Sequence, residues 1–478
     1  MLPTGGRPRQ LAVRTLLAGM LLAQADGRPA HLTRVHRALA ALAETDRWRL
    51  GVLVSWSAGP HPLTYRQIER TYGLVVSALE KDGPDGTPGE ALCQTLDALL
   101  EASVPEGCKE QTRALAVDWT DLETFSRPPH SSGGRCADPE ASWGRRASDA
   151  PGARDELFFG YELQAATMVS EDHGPPVPEL TRRVLLTTCS VDPPPAFVGV
   201  LERLAASGVP LGDVLADSGY AHRAAEHWAL PLRRLGASHV FDLHPRDRGP
   251  RGTFAGAVVA NGNCYCPATP PSLLGVEPLG RDASEPITAV HDRMTGELSR
   301  YKLGRIGRND QGGSHRVMCP AVMGKLRCPL RPASMALPFD RPEVLHPPQD
   351  PPRCCRQLTI TVGVEVAAKT AQKHDYPSAA HRRSYGRRTA VERTFSTAKD
   401  PATNDLRRGW CRLMGLAPIA LFVACLFVVR NERILRSFEA RRAEDARRRA
   451  AGLPPRARHR TRRTETDRIS TTPATAPP

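Results

Sequence analysis

The first hundred residues carry apolar side chains at helical spacing. Leucines, valines and one isoleucine recur every three or four positions over residues 32–42 and 68–79, as on the buried face of an amphipathic helix. Thr64 precedes the second stretch and Gln67 follows three positions later, which is the spacing of a capping box. The pattern therefore predicts a helical domain over residues 1–112.

The predicted helix at residues 65–80 combines basic and aromatic side chains, namely Tyr65, Arg66, Arg70 and Tyr72. In a helix-turn-helix protein, a helix of this kind enters a groove of DNA. An ordinary amphipathic helix with a solvated basic face has the same pattern. Both interpretations are open at this point, so DNA binding by this domain is a hypothesis.

From residue 113 onward the pattern becomes that of β-strands. Runs rich in β-branched and aromatic residues predict strands at 113–120, 157–169, 183–191, 213–219 and 239–243. Helical patterns separate the last three runs, at 196–207 and 221–235. Three strands followed by alternating helix and strand predict an α/β fold class for residues 113–245.

The remaining chain divides into segments that differ in composition and in helical periodicity. Residues 246–375 are rich in Pro, Gly, Arg and Cys with few helical periods, which predicts an insertion containing β structure. Helical pattern resumes over residues 376–435 and includes an uncharged apolar run, Leu413 to Val429. This run contains Pro418 and falls short of the ~18 residues that a membrane span needs, so it predicts a buried helix.

The last stretch of the chain, residues 436–478, is basic. Positions 439–468 hold 11 Arg against five acidic residues, and a Thr, Pro and Ala-rich segment follows. This composition predicts a frayed helix that continues into a disordered basic tail.

Composition adds limits on the class of protein. With 40% hydrophobic and 24% charged residues, the 478-residue chain is not a wholly disordered one. Its formal net charge of +14 has the sign expected of a protein that meets nucleic acid or an anionic surface. However, 58 of the 65 basic residues are Arg beside abundant Ala, a bias that GC-rich coding produces by itself. The charge therefore carries little independent weight.

The cysteines and the N-terminus bear on the compartment. Twelve cysteines scattered from Cys93 to Cys425 do not resemble the dense disulfide framework of a small secreted domain, which favours a reducing cytoplasm and no membrane association. The alternative is a signal peptide, because Arg7, Arg9 and Arg14 precede a short apolar run that begins at Leu16.

Two acidic residues stand at the ends of predicted strands. Asp118 ends an apolar strand within the run Val-Asp-Trp-Thr, and Asp217 ends another within the motif Ala-Asp-Ser-Gly-Tyr. Each acid taken alone is also explained as a helix cap or a turn residue. Asp121, three positions after Asp118, is a rival for the first carboxylate, but its odd spacing points it to the other side of the strand.

A third acid lies in a helical stripe of polar residues. At about 100° per residue, Tyr385, Arg388, Glu392 and Lys399 fall within about 60° of one another around a helix. One carboxylate with two cations and a phenol on one face suits a surface that holds both metal and phosphate.

The spacing Tyr-x2-Arg-x3-Glu-x6-Lys resembles the signature of bacterial insertion-sequence transposases with a DDE catalytic core. Composition alone gives roughly 0.0015 accidental matches of this pattern around the acids of the chain. Together with the two strand-end aspartates, the resemblance covers about residues 113–245 and 376–435. The opening Gly-Arg-Pro-Arg at residues 6–9 is also similar to related transposases.

The resemblance implies an RNase H-like core in which Asp118, Asp217 and Glu392 hold two Mg²⁺ or Mn²⁺ ions. It implies that Asp118 bridges the metals, and that Arg388 and Lys399 hold terminal DNA phosphates with Tyr385 beside them. The partners so implied are double-stranded DNA, both as transposon terminal repeats and as target, and a second copy of the chain in a homodimeric active complex. The place of action would be the bacterial cytoplasm, at the nucleoid.

Other functions share parts of this pattern. An RNase H-like nuclease that cuts without joining DNA would use the same metal site. A catalytically silent, transposon-derived DNA-binding protein would keep arginine-rich surfaces without needing the three acids.

The insertion also holds six cysteines, at positions 264, 266, 319, 328, 354 and 355. They could gather a zinc ion, although no Cys-x2-Cys pair at ribbon or finger spacing is present. Buried free thiols are the other interpretation. His222, His227, His239 and His244 lack a metalloprotease spacing, which favours structural or surface roles.

Overall fold

The computed structural model describes residues 11–56, 59–80, 86–130, 134–146, 155–280, 282–310 and 313–456. The predictions for the opening motif, for Arg7 and Arg9, and for the tail beyond residue 456 lie outside these ranges. Of the described residues, those up to Asn431 form one compact unit and those from Glu432 form a second.

The N-terminal part of the chain is helical apart from one hairpin. Its elements are α1 (Val13–Ala25), α2 (Leu32–Ala40), α3 (Glu44–Arg49), β1 (Leu53–Trp56), β2 (Gly59–Pro62), α4 (Tyr65–Leu79), α5 (Glu90–Ala102) and α6 (Glu106–Lys109). The capping box of Thr64 and Gln67 is present at the start of α4. Leu16 and Met20 of α1 are buried, so the apolar run of the signal-peptide alternative packs in the core.

The polar face of α4 is only partly available to a partner. Arg66 and Arg70 are exposed. Tyr72, in contrast, is buried and donates its hydroxyl hydrogen bond to the carbonyl of Pro418 at 3.0 Å. Tyr72 is therefore a core residue, and any DNA contact of this helix falls to its arginines.

A mixed sheet occupies the middle of the chain. Its strands among the described residues are β3 (Leu115–Glu123), β4 (Ser142–Arg146), β5 (Glu156–Met168), β6 (Thr181–Thr188), β7 (Asp213–Ala216) and β8 (Ser238–Phe241). The order across the sheet is β6-β5-β3-β7-β8, and β4 pairs with the first half of β5. Strands β3, β5 and β6 are antiparallel neighbours, whereas β7 and β8 run parallel to β3. The helix α7 (Pro193–Ala206) connects β6 to β7, so the chain is of mixed α/β class.

The helix predicted over residues 221–235 is wrong as a single element. The structure has α8 (Ser218–Ala221), a 3-10 turn (Ala225–His227) and α9 (Ala229–Arg234). Pro231 explains the break, because proline has no amide hydrogen and fits only the first turn of a helix. Accordingly α9 begins just before it.

The insertion contains two three-stranded antiparallel sheets. Its elements are β9 (Pro250–Phe254), β10 (Ala257–Ala260), β11 (Asn263–Tyr265), α10 (Pro271–Leu274), α11 (Glu285–Tyr301), β12 (Gly304–Ile306), β13 (His315–Met318), α12 (Arg353–Arg356) and β14 (Thr359–Val362). The 17-residue helix α11 was not predicted. Its buried side includes the polar residues His291 and Thr295, which removes the apolar periodicity that reveals a helix.

The C-terminal part carries the predicted polar stripe and the buried helix. Its elements are α13 (Ala379–Tyr385), a 3-10 turn (Gly386–Arg388), α14 (Thr389–Lys399) and α15 (Leu416–Ala450). Residues of α15 from Leu416 to Asn431 are largely buried, and they share one core with the N-terminal helices and the mixed sheet. The region predicted as a basic tail begins inside α15. No helix in the described ranges combines the length and apolar character that crossing a membrane requires.

Glu162 on β5 is a partly buried acid whose Oε2 atom lacks a hydrogen-bond partner. Burial, and then the charge of Asp192, raise the pKa of Glu162 to about 7, from an ordinary value of 4.5. Between these values the folded chain holds a proton that the unfolded chain has lost, so the free energy of unfolding falls as pH rises.

We expect Glu162→Gln to remove this penalty. The variant should be more stable than the wild type by about 1 kcal/mol at pH 8 and no more stable at pH 4.5. Urea unfolding followed by tryptophan fluorescence measures both values. Glu156→Gln, an exposed position on the same strand, is the matched control. A gain of equal size at both pH values would contradict the assignment.

Candidate active site

The two predicted aspartates lie on neighbouring strands. Asp217 directly follows β7, as predicted. Asp118 is the fourth of nine residues in β3, so the prediction that it ends a strand is wrong, because β3 continues to Glu123 in its pairing with β5. The strands β3 and β7 are parallel neighbours, with Leu115 opposite Val214 and Ala116 opposite Leu215. Continued by two residues along both strands, this register places Asp118 opposite Asp217. Side chains at the same level of adjacent strands share a face, so both carboxylates point to the same side of the sheet.

Asp217 is fixed by the turn that follows it. Its carboxylate caps α8 by accepting hydrogen bonds from the amides of Gly219 at 2.9 Å and Tyr220 at 3.3 Å. A Cβ atom at Gly219 would lie 2.4 Å from the Trp119 ring, so only glycine fits there. This contact explains the Asp-Ser-Gly-Tyr motif.

Aromatic packing supports the two aspartates from the opposite face of the sheet. The Tyr220 ring lies 4.7 Å from Trp119 and 4.7 Å from Trp228, measured between ring centroids. The hydroxyl of Tyr220 donates to Gln164 on β5 at 3.2 Å. None of these supporting residues was predicted from the sequence, although the aromatic residues close to both acids were a visible signal.

Arg388 joins Asp118 to Glu392. Its Nη1 atom donates to Asp118 Oδ2 at 2.9 Å, and its Nη2 atom donates to Glu392 Oε1. The second oxygen of Asp118 accepts the amide of Trp119 at 2.9 Å. The structure therefore brings a strand residue and a helix residue, 274 positions apart in the chain, onto one guanidinium.

Asp118 and Asp217 are buried carboxylates, and burial disfavours the charged form of such a group. Burial, and then the charge of Asp217, raise the pKa of Asp118 to about 7, although the Arg388 guanidinium acts to lower it. Burial also raises the pKa of Asp217 above its usual range. A further cation at this rim would favour the ionised form of both carboxylates.

Tyr385 lies beside Arg388, whereas Lys399 lies further along the strand. The Arg388 guanidinium is 5.6 Å from the centroid of the Tyr385 ring, and burial raises the pKa of Tyr385 to about 12. Lys399 donates to Thr120 Oγ1 at 2.7 Å and to Asp121 Oδ1 at 2.9 Å. Of the predicted stripe, Tyr385, Arg388 and Glu392 thus gather near Asp118, and Lys399 does not contact these acids.

The rival carboxylate Asp121 has partners of its own. It pairs with Arg146 at 2.6 Å as well as with Lys399, and these cations lower its pKa against the effect of burial. In the β3–β5 register it stands opposite Glu162, on the other face of the strand from Asp118. Asp121 is therefore paired with Arg146 and Lys399, and it is not one of the carboxylates that Arg388 contacts.

Arg387, next to Arg388 in sequence, faces the interior of the molecule. It bonds to Asp213 at 2.7 Å, to Asp172 at 3.0 Å and to the carbonyl of Ser170 at 2.8 Å, and only 11% of its side chain is exposed. Its guanidinium ties the turn before α14 to the start of β7.

Removal of Arg387 should therefore reduce stability. We expect Arg387→Met to lower the free energy of unfolding by about 2–3 kcal/mol, because Asp172 and Asp213 lose a buried partner but each keeps its ion pair with Lys373 at 2.8 Å. Chemical denaturation measures the loss. Arg383→Met, at an exposed position of α13, is the control and should change stability little. Equal losses in the two variants would show that the Arg387 ion pairs contribute nothing.

A group of metal-ligating side chains lies near the acids in sequence. Within the described ranges, His222, His244 and Asp247 form the one group of three or more such residues whose ligand atoms all lie within 4.8 Å. The two imidazoles are stacked 3.9 Å apart, and Asp247 already pairs with Lys369 at 2.8 Å. The ligand atoms of Asp118, Asp217 and Glu392 do not all lie within 4.8 Å of one another, and the Arg388 guanidinium bonds to both Asp118 and Glu392.

The chain was compared with known proteins. No protein-family model matches it, and no curated protein matches its sequence. Among solved structures, it is similar to the Drosophila P element transposase strand transfer complex, at 10% sequence identity and a TM-score of 0.26, over 91% of this chain and 95% of that one. At this level of similarity, the function has to be argued from the chain's own residues and topology.

Proposed function

We propose that this chain is a DDE-type DNA transposase with an RNase H-like core, and that Asp118, Asp217 and Glu392 are its catalytic carboxylates. The observation that carries the proposal is the convergence of these acids. They come from a strand, the end of its parallel neighbour and a helix far along the chain, and Arg388 contacts two of them.

The topology supports the same proposal. Three antiparallel strands, β3, β5 and β6, are extended on the β3 side by the parallel strands β7 and β8. This order is the one that an RNase H-like core uses. Helix α14 packs against β3 and β5, and its Thr394 hydroxyl lies 3.1 Å from the Thr167 hydroxyl of β5. This packing brings Glu392 close enough to Asp118 for Arg388 to bond to both.

The donor set fits hard divalent cations. Carboxylate oxygens are the ligands that Mg²⁺ and Mn²⁺ prefer. Burial raises the pKa of Asp118 and of Asp217, so a bound cation would favour their ionised forms. When bound, two such ions would activate the attacking oxygen and stabilise the leaving oxygen of a phosphodiester. In this proposal Asp118, Asp217 and Glu392 would together hold these ions.

The remaining stripe residues would position DNA. Lys399 lies about seven residues along α14 from Glu392, roughly 10 Å, which suits a phosphate next to the reacting one. Arg388 is engaged by carboxylates in the structure, so its contact with phosphate would follow its release from them. We propose double-stranded transposon ends and target DNA as substrates and a homodimer as the active complex.

The test uses the full chain and DNA that carries the inverted repeats flanking its own gene. In Mg²⁺ we expect cleavage that leaves 3′-hydroxyl ends, followed by joining of those ends to a second DNA molecule. Cleavage without joining would instead support the nuclease alternative. No cleavage of any DNA by a folded chain that still binds DNA would contradict an enzymatic role.

A further inference from the structure

Four of the six cysteines in the insertion meet around one small cavity. They are Cys266, Cys319, Cys328 and Cys355, and we call this the four-cysteine cavity. Its other lining residues are mostly apolar and include Leu326 and Leu330. The four sulfur-bearing residues come from a stretch of 90 positions and from separate elements: the ends of β11 and β13, a loop and α12.

Two of these cysteines begin the same kind of turn. In the segments Cys-Pro-Ala-Thr at 266–269 and Cys-Pro-Leu-Arg at 328–331, the cysteine carbonyl accepts a hydrogen bond from the fourth residue, at 3.0 and 2.8 Å. In both turns the amide of the third residue, Ala268 or Leu330, also donates a hydrogen bond to the cysteine sulfur. Such a turn prepares a sulfur to carry negative charge, because the amide dipole stabilises a thiolate.

The surroundings suit a negatively charged group. Arg331 lines the cavity and is held there by hydrogen bonds to the carbonyls of Cys355 and Gln357. A guanidinium in this position offsets part of the negative charge that four thiolates around a divalent ion would carry. The local hydrophobic core is small, and small cores are often completed by a structural metal.

We propose that Cys266, Cys319, Cys328 and Cys355 bind one structural zinc ion that holds the insertion together. Four thiolates at tetrahedral positions are a ligand set that Zn²⁺ takes up in closed structural sites. Zinc–sulfur bonds of about 2.3 Å place the sulfurs roughly 3.8 Å apart. Among the described residues no three of these sulfurs lie within 4.8 Å of one another, so binding draws the four side chains inward.

The experiment measures metal in the full chain, purified without chelator from cells grown with added zinc. We expect close to one zinc per chain by mass spectrometry, and strong reduction of this content in Cys266→Ser and Cys328→Ser. Cys264→Ser is the matched control, since Cys264 is equally buried two residues away but does not line the cavity. It should keep its zinc.

A second measurement covers variants that fail to fold. The wild-type chain, stripped of metal and titrated with Co²⁺, should show the intense absorption of cobalt bound by thiolates, which Zn²⁺ then removes. A wild-type chain with neither zinc nor this absorption would overturn the proposal. So would iron in place of zinc, or folded Cys266→Ser and Cys328→Ser variants that retain as much zinc as the Cys264→Ser control.

Discussion

Replacement of any of the three carboxylates by its amide, as in Asp118→Asn, Asp217→Asn and Glu392→Gln, should abolish DNA strand cleavage. Each change keeps the size of the side chain but removes the charge of a proposed metal ligand. We expect rates to fall roughly 10³-fold or more, because the three acids act as one unit. Gel analysis of end cleavage in Mg²⁺, with circular dichroism for folding and gel shifts for DNA binding, provides the measurement.

Asp121→Asn is the matched control for these variants. It is the same change on the same strand, three residues from Asp118 and on the opposite face. Loss of its pairs with Arg146 and Lys399 should lower stability modestly and cleavage by only a few-fold. A near-native cleavage rate in any of the three amide variants would remove that residue from the site.

The runs of β-branched and aromatic residues were sufficient to predict the main strands of the sheet. The predicted runs lie within a few residues of β3, β5, β6, β7 and β8, because each strand is buried on at least one face and its residue types reflect this. The short edge strand β4 was missed. Its five residues, Ser142–Arg146, alternate too little for a signal.

Burial of polar residues limits sequence-based prediction in two places. Helix α11 buries His291 and Thr295, so its inner face does not look apolar. Arg387 is next to Arg388 in sequence but lies about 100° away around a helix, on another face. That face is turned toward Asp172 and Asp213, which are more than 170 positions away in sequence, so no local pattern reveals the ion pairs.

The position of Arg388 also depends on contacts that sequence spacing does not show. The predicted stripe of Tyr385, Arg388, Glu392 and Lys399 assumes one continuous α-helix over residues 385–399. The structure instead has a 3-10 turn at Gly386–Arg388. Arg388 at the end of this turn reaches both Asp118 and Glu392. The residue that the resemblance assigns to phosphate therefore contacts two of the three proposed metal ligands in the structure.

Arg388 and a divalent metal ion should therefore compete for the same carboxylates. We expect Arg388→Ala to bind Mn²⁺ about fivefold more tightly than the wild type in the absence of DNA, because the internal cation no longer has to be displaced. The same variant should lose at least about 10²-fold in cleavage, since a guanidinium that could stabilise phosphate is gone. Manganese binding is measured by electron paramagnetic resonance, separately from activity.

Lys399→Ala makes the comparison specific. Lys399 bonds to Thr120 and Asp121 and touches none of the three proposed metal ligands, so its removal should leave Mn²⁺ affinity unchanged while weakening the binding of end DNA in Ca²⁺. Arg388→Lys should fall between wild type and Arg388→Ala, because a lysine ammonium cannot reach two carboxylates in the forked geometry of arginine. Equal Mn²⁺ affinity in wild type, Arg388→Ala and Lys399→Ala would mean that Arg388 does not compete with the metal ion for Asp118 and Glu392. Its contact with Asp118 and Glu392 would then have to be treated as a structural ion pair.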